Sequence, residues 1–336
     1  MSTTIADVAS RAGVSKTTVS RVLNNKGELH EATIRKVRQA IADLGYVPSA
    51  GAVGLARGST QLIGMLVPSL TWPWIGAVLE GAVQVLEGEG FGMRLLTFDH
   101  GEEALRRLGV QVAAKSFDGL LVITPEGSVD YLTELHAAGL PVVLIDDHAH
   151  RPQFPHVATT NRAGGADAAR HLLELGRRRP LVVAGPLNYG CVEERLAGFE
   201  EVCAEAGVTL GADDVVIGGF TFDGGREQVR RVIAAGMQFD SVFAHNDQSA
   251  AGALVALREA GLRVPHDVAV VGFDDVELAA YTDPALTTVH QPLREMGETA
   301  ASLLLEHVRK SPEAETSRTL ATRLVIRGST HRPDQN

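Results

Sequence analysis

Cysteine is nearly absent from this chain of 336 residues, which carries only Cys191 and Cys203. Two thiols cannot supply a disulfide framework or a CxxC metal site, and they read as ordinary thiols of a reducing compartment. Aromatic residues make up only 5% of the chain, with two tryptophans. No apolar run approaches the roughly 20 residues that span a bilayer, and the N-terminus lacks a basic-then-apolar leader. The expectation is a soluble cytoplasmic protein with no membrane partner. Catalytic signatures are missing as well. There is no G-x-x-x-x-G-K-[ST] loop, no G-x-G-x-x-G turn, no G-x-S-x-G elbow and no H-E-x-x-H pair. Gly88, Gly90 and Gly92 are wrongly spaced for a dinucleotide site. No catalytic residue, metal or cofactor is expected, and an enzyme on an α/β scaffold is disfavoured.

Charge is distributed unevenly. Residues 1–60 hold eight Lys/Arg and four Asp/Glu, a net of +4, whereas the whole chain stands at −10 and its remainder at −14. A small basic head on an acidic body fits a protein whose head alone meets phosphate.

That head has a readable layout. Ile5, Val8, Ala9 and Ala12 repeat at helical spacing, and Val14, Val19, Val22 and Leu23 do so again. Between them, Gly13 permits a sharp turn and Ser15 can cap the second helix. Thr4 with Asp7 forms a capping-box pattern for the first helix. A third pattern, Ile34, Val37, Ile41 and Leu44, stops at Gly45, and Pro48 prevents its continuation. The spacing predicts a three-helix helix-turn-helix head over 1–48. Residues 49–60, small and glycine-rich, read as a linker.

From Leu62 short apolar runs alternate with amphipathic stretches. The runs are 62–68, 92–98, 118–124, 141–147, 180–185, 215–220, 240–245 and 267–273. Helices are expected at 74–89, 102–114, 129–138, 162–175, 192–206, 223–235 and 247–260. Repeated βαβ units with wholly apolar strands imply parallel sheets covered on both faces, and their number suggests two doubly wound subdomains. The fold class is therefore α/β. Ligands of such sheets bind at the carboxyl ends of the strands. Polar residues gather at those ends: Asp146, Asp147 and His148; His245, Asn246 and Asp247; Asp274 and Asp275. Each could be a solvated loop or a helix cap, but their repetition favours a cleft.

Several motifs then carry a family likeness. They are TIADVASRAGVSKTTVSRVLN at 4–24, LGYVP at 44–48, RLAGF at 195–199, AHNDQSA at 244–250, VGFDD at 271–275 and LTTVHQP at 286–292. Over essentially its full length the chain resembles the LacI/GalR (lactose-repressor) family of bacterial transcription regulators. The resemblance implies a bilobal, periplasmic-binding-protein-like core over 61–336. One subdomain would take about 61–160 plus 291–318, the other about 161–290 plus 319–330. It implies a sequence-specific repressor of carbohydrate-utilisation genes that binds a pseudo-palindromic operator as a homodimer. On that match Lys16, Thr17 and Arg21 read bases, Arg21 suiting guanine O6 and N7. Thr4, Ser15, Thr18, Asn24 and Asn25 would grip phosphates. Leu55, in a hinge helix, would wedge into the minor groove. Gly51 and Gly54 disfavour that helix by about 1 kcal/mol each, and Val53 stands where the family often has arginine. The hinge is thus expected to order only on DNA.

The same resemblance implies effector contacts at Trp72, Trp74, Asp146, Asn161, Arg195, Asn246, Asp247, Asp274 and Gln291. Carboxylates, amides and a guanidinium suit the hydroxyls of a mono- or oligosaccharide, and an indole suits the apolar face of its ring. Trp72 and Trp74 could equally be packing residues. The alternatives are a soluble bilobal sugar-binding protein, or a repressor using a non-sugar effector such as a nucleobase.

Overall fold

The computed structural model describes residues 3–24, 29–47, 59–97, 109–110, 112, 116–123, 129–146, 154–311 and 316–330, with backbone alone at 129–131. Asn25, Leu55, Asp147, His148, nearly all of the 49–60 linker and most of the helix expected at 102–114 lie outside these residues.

Three short helices open the chain. Helix α1 (Ile5–Ala12) starts at Thr4, whose hydroxyl accepts from the Asp7 amide at 3.4 Å. The Thr4 amide donates back to the Asp7 carboxylate at 2.8 Å, so two otherwise orphaned donors are satisfied. Gly13 ends α1 in the left-handed region, φ 68°, where a side chain would be strained. Ser15 caps α2 (Lys16–Leu23) by accepting from the Thr18 amide at 3.1 Å. Helix α3 (Glu31–Leu44) closes the head. Val8, Ala9, Val19, Val22, Val37 and Ala40 form its core, and Arg11 pairs with Asp43 at 3.3 Å to tie α1 to α3.

Two six-stranded sheets follow. The first contains β1 (Leu62–Val67), β2 (Gly92–Thr97), β3 (Gly119–Ile123), β4 (Val142–Ile145), β5 (His156–Thr159) and β11 (Ser317–Leu320), in the order β11-β5-β4-β3-β1-β2 and all parallel. The second contains β6 (Pro180–Ala184), β7 (Val215–Ile217), β8 (Ser241–Ala244), β9 (Ala269–Asp274), β10 (Thr287–His290) and β12 (Arg323–Val325), in the order β12-β10-β9-β8-β6-β7. Only β12 runs antiparallel, against β10. The two lobes therefore repeat one doubly wound plan.

Helices cover both faces. Helix α4 (Pro73–Gly88) and α11 (Leu293–Val308) pack on the side of β1 that presents Ile63, Met65 and Val67. Leu66 of the same strand faces the opposite cluster, with Leu132 of α5 (Val129–Ala137). This two-sided burial is why the strands read as unbroken apolar runs. In the second lobe α6 (Asn161–Glu174) and α7 (Gly190–Glu205) cover one face, and α8 (Phe222–Ala234) and α9 (Asp247–Glu259) the other. A short α10 (Leu278–Tyr281) follows β9. Cys191 and Cys203 are buried and unbridged. No helix among the described residues is long and apolar enough to cross a membrane.

The chain passes between lobes at Thr160, at Gln291-Pro292 and at Ala321-Thr322. The last crossing moves the boundary that the family resemblance implied, which divided the lobes at 318/319. Ser317–Leu320 instead pairs in parallel with His156–Thr159 in the first sheet. The chain then crosses, and Arg323–Val325 joins the second sheet.

Candidate effector cleft and DNA-facing helix

Helix α2 buries Val19 and Val22 and leaves Lys16, Thr17 and Arg21 exposed. Lys16 and Arg21 make no ion pair among the described residues. The residues expected to grip phosphate also serve the helix ends. Thr4 and Ser15 are N-caps, Thr18 shares a hydroxyl hydrogen bond with Ser15 at 2.9 Å, and Asn24 Nδ2 donates to the Ser20 carbonyl at 2.8 Å.

The cleft lies where the strand order turns back, between β1 and β3 and between β6 and β8, outside the carboxyl ends of the strands. Loops after β1 and β4 meet loops after β6, β8 and β9 there. A pocket of about 300 Å³, open mouth included, is lined by Trp72, Trp74, Asp146, Tyr189, Cys191, Arg195, Phe220, Asn246 and Asp274. Three of these residues, Asp146 (φ 60°), Phe220 (φ 61°) and Asp274 (φ 109°), hold positive φ without being glycine. Such strain persists only where surroundings enforce it, and it gathers at functional sites.

Arg195 on α7 sits at the centre, 2% exposed. Its Nε donates to Asn161 Oδ1 at 2.8 Å and one Nη to the His245 carbonyl at 2.5 Å. The guanidinium stands 3.9 Å from Asp146 of the first lobe and 3.9 Å from Asp274 of the second. Its carbon lies 3.7 Å from the centre of the Phe273 ring, a cation–π contact. Burial pushes His245 down to about 3, with the Arg195 charge acting the same way, so the imidazole stays neutral beside the cation. Trp72 reaches across the cleft, its ring centre 6.0 Å from Tyr189 and 5.9 Å from Phe220, both edge-on.

Three residues expected to touch the effector stand behind the pocket wall. Asn161 spends its amide between Arg195 and Asp146, donating Nδ2 to Asp146 at 3.1 Å. Asp247, fully buried, accepts from the Thr288 hydroxyl at 2.5 Å and the Val276 amide at 2.9 Å. Burial, with Asp274 nearby, raises its carboxyl well above the usual range. Gln291 donates to Asp274 at 2.8 Å and accepts from Thr159 at 2.6 Å. Their residue types are right for a polar site, but their polar atoms are already occupied. Asn246 does both jobs: it lines the pocket and caps α9 by accepting from the Ser249 amide at 2.9 Å. Tyr189, Cys191 and Phe220 were missed in the sequence, although Tyr189 and Phe220 follow β6 and β7, where a strand-end rule would have sought them.

Burial raises the Asp274 carboxyl from 3.8 to about 7, opposed by Arg195 and aided by Asp146. The folded protein therefore holds this proton more tightly than the unfolded chain. Stability from Asp274 is complete below about pH 4 and is lost as pH rises through about 7. Asp274→Asn should stabilise the protein by about 4 kcal/mol at pH 8, with the difference closing near pH 4. Urea unfolding at both pH values checks this. His245 titrates in both proteins and cancels in the comparison.

Arg195 is placed by a close helix crossing. A Cβ on Gly165 of α6 would lie 2.1 Å from the Arg195 carbonyl, and one on Gly198 of α7 would lie 1.9 Å from the Arg162 carbonyl. Both obstacles are backbone, so the helices must separate to admit a side chain. Gly165→Ala should cost about 2 kcal/mol or more of stability through overpacking and should shift Arg195 within the cleft. Thermal unfolding checks the first effect and a crystal structure of the variant the second.

Comparison with known proteins agrees with this architecture. The profile "Bacterial regulatory proteins, lacI family" matches residues 4–49, and that of a periplasmic binding protein-like domain matches 169–330. The chain is 35% identical over 327 residues to the HTH-type transcriptional repressor PurR of Photobacterium profundum, covering 97% of this chain and 98% of that one. It is 32% identical over 329 residues to the ribose operon repressor of Escherichia coli, covering 97% and 99%. Among solved structures, the lac repressor dimer bound to operator and the anti-inducer ONPF superposes with a TM-score of 0.88 at 29% identity, covering 98% of this chain and 99% of that one. The complex of the transcriptional regulator CelR with cellobiose superposes with a TM-score of 0.76 at 32% identity, covering 97% and 99%. With its helix-turn-helix head joined to a two-lobed α/β core, this chain belongs to the lacI family of bacterial regulatory proteins and is a DNA-binding transcriptional repressor, not an enzyme.

Proposed function

We propose that the protein binds a pseudo-palindromic operator as a homodimer and is controlled by a small sugar, a mono- or oligosaccharide, held between its lobes. The observation that carries this reading is Arg195, flanked by Asp146 and Asp274 and roofed by Trp72, Tyr189 and Phe220. Hydroxyls donate to carboxylates and accept from a guanidinium, while the ring face of a sugar meets an indole. The names of the ribose operon repressor and the CelR–cellobiose complex point to a sugar as the effector. In the head, Lys16, Thr17 and Arg21 read bases, Thr4, Ser15, Thr18, Asn24 and Asn25 hold the backbone, and Leu55 enters the minor groove. Two copies are needed because one head reads only a few base pairs.

Control follows from linkage. An effector that prefers one lobe angle over another changes operator affinity by its differential affinity for the two states, typically about 1–3 kcal/mol. Induction and co-repression use the same parts. Calorimetric titration of the full-length protein with D-ribose, other pentoses, hexoses and cellobiose tests the reading. Micromolar binding of one of these sugars supports it. Binding of a purine or pyrimidine base alone would instead favour a nucleobase effector, for which the cluster of aromatic rings also provides stacking faces.

A further inference from the structure

The three lobe crossings are hydrogen-bonded to one another and to the cleft. Thr159, the last residue of β5 in the first lobe, donates its hydroxyl to Gln291 Oε1 at 2.6 Å. Gln291, in the second crossing, donates Nε2 to Asp274 Oδ1 at 2.8 Å. Thr160 in the first crossing meets Thr322 in the third, hydroxyl to hydroxyl at 2.8 Å, and accepts from the Thr322 amide at 2.8 Å. Thr159 and Gln291 are buried.

An amide has direction. Its oxygen faces Thr159 and its NH₂ faces Asp274, and the side chain is buried away from water. A rotation that parts Thr159 from Asp274 therefore breaks a bond or strands a buried polar atom. We propose that Thr159, Gln291 and Asp274 form a latch, in which Gln291 is the positioning residue that turns events at the Asp274 carboxylate into a change of lobe angle. The latch rests on the reading of Asp274 as an effector contact, because a ligand that donates to this carboxylate acts on the group that Gln291 holds.

The chain has two tryptophans, and both line the cleft. Trp72 also contacts the opposite lobe. Intrinsic fluorescence of the full-length protein thus reads lobe closure with no ligand added. Thr159→Val removes the hydroxyl at nearly constant shape. It should raise the acrylamide quenching constant about twofold and shift emission to the red, well below the unfolding temperature. Thr159→Ser should restore both. Gln291→Met should match Thr159→Val, and the double variant should add nothing further. A residue that served stability alone would lower the unfolding midpoint and leave quenching in the folded range unchanged. Wild-type quenching and emission in both single variants would overturn the latch. If Thr159→Val does not fold, Gln291→Met gives the same reading. D-ribose and D-glucose titrations form a separate arm. If neither moves wild-type fluorescence while Thr159→Val does, the latch stands and those sugars are excluded. If one moves both proteins equally from the same baseline, the sugar reading stands and the latch falls.

Discussion

Arg195→Met will abolish effector binding and cost about 3–5 kcal/mol of stability. The guanidinium faces two buried carboxylates, Asp146 and Asp274, and supplies hydrogen bonds to Asn161 and to the His245 carbonyl. Methionine fills much of the volume, so packing loss contributes little. What remains is two acidic groups without their cation and an amide oxygen without its donor. Removing one partner of a buried ionic cluster costs far more than the cluster's net contribution, because the remaining charge keeps its desolvation penalty. Asp274→Asn in the same background should recover part of the loss, since it removes one stranded charge. Chemical unfolding of the two single variants and the double variant gives the coupling directly. A loss under about 1 kcal/mol, or retained effector binding, would show that Arg195 is a surface-like arginine despite its burial.

Arg21→Met should weaken operator binding by between about 30-fold and 10⁴-fold. A bidentate arginine–guanine contact supplies about 1–3 kcal/mol of discrimination, and a two-fold dimer makes it twice. The loss should fall on the preferred sequence and spare unrelated DNA, which is held through phosphates. The dependence of affinity on salt should therefore be nearly unchanged. A phosphate contact would behave differently, weakening all sequences alike and flattening the salt slope. Fluorescence anisotropy on matched and scrambled duplexes, at two salt concentrations, separates the two roles. Arg21 is exposed and unpaired among the described residues, so the substitution should leave the head folded.

The head was legible in the sequence because its determinants are local. A capping box at Thr4 and Asp7, a left-handed turn at Gly13 and a cap at Ser15 each act within four residues. The long βαβ run was legible for the same reason, through fully apolar strands and periodic helices. Strands β5 and β11 were not. They are four residues each, carry His, Thr, Ser and Arg, and β11 exists by pairing with β5 across nearly half of the chain. The cleft was legible as a set of residue types at strand ends. The division of labour within it was not. Whether Gln291 touches a ligand or a crossing depends on Thr159, 132 residues away. Asp247 looks like any strand-end acid until the Thr288 hydroxyl is found against it. Periodicity fixes what a residue can do, and long-range packing decides which of those things it does.

Coupling between the DNA-reading head and the ligand-holding cleft is read by measuring affinity for a duplex that the protein itself selects from random DNA, with and without the small molecule that binds the cleft. A change of about 5–150-fold is expected in the wild type, and no ligand-dependent change in Arg195→Met. A protein that selects no sequence, or a ligand effect that survives in Arg195→Met, would contradict that coupling.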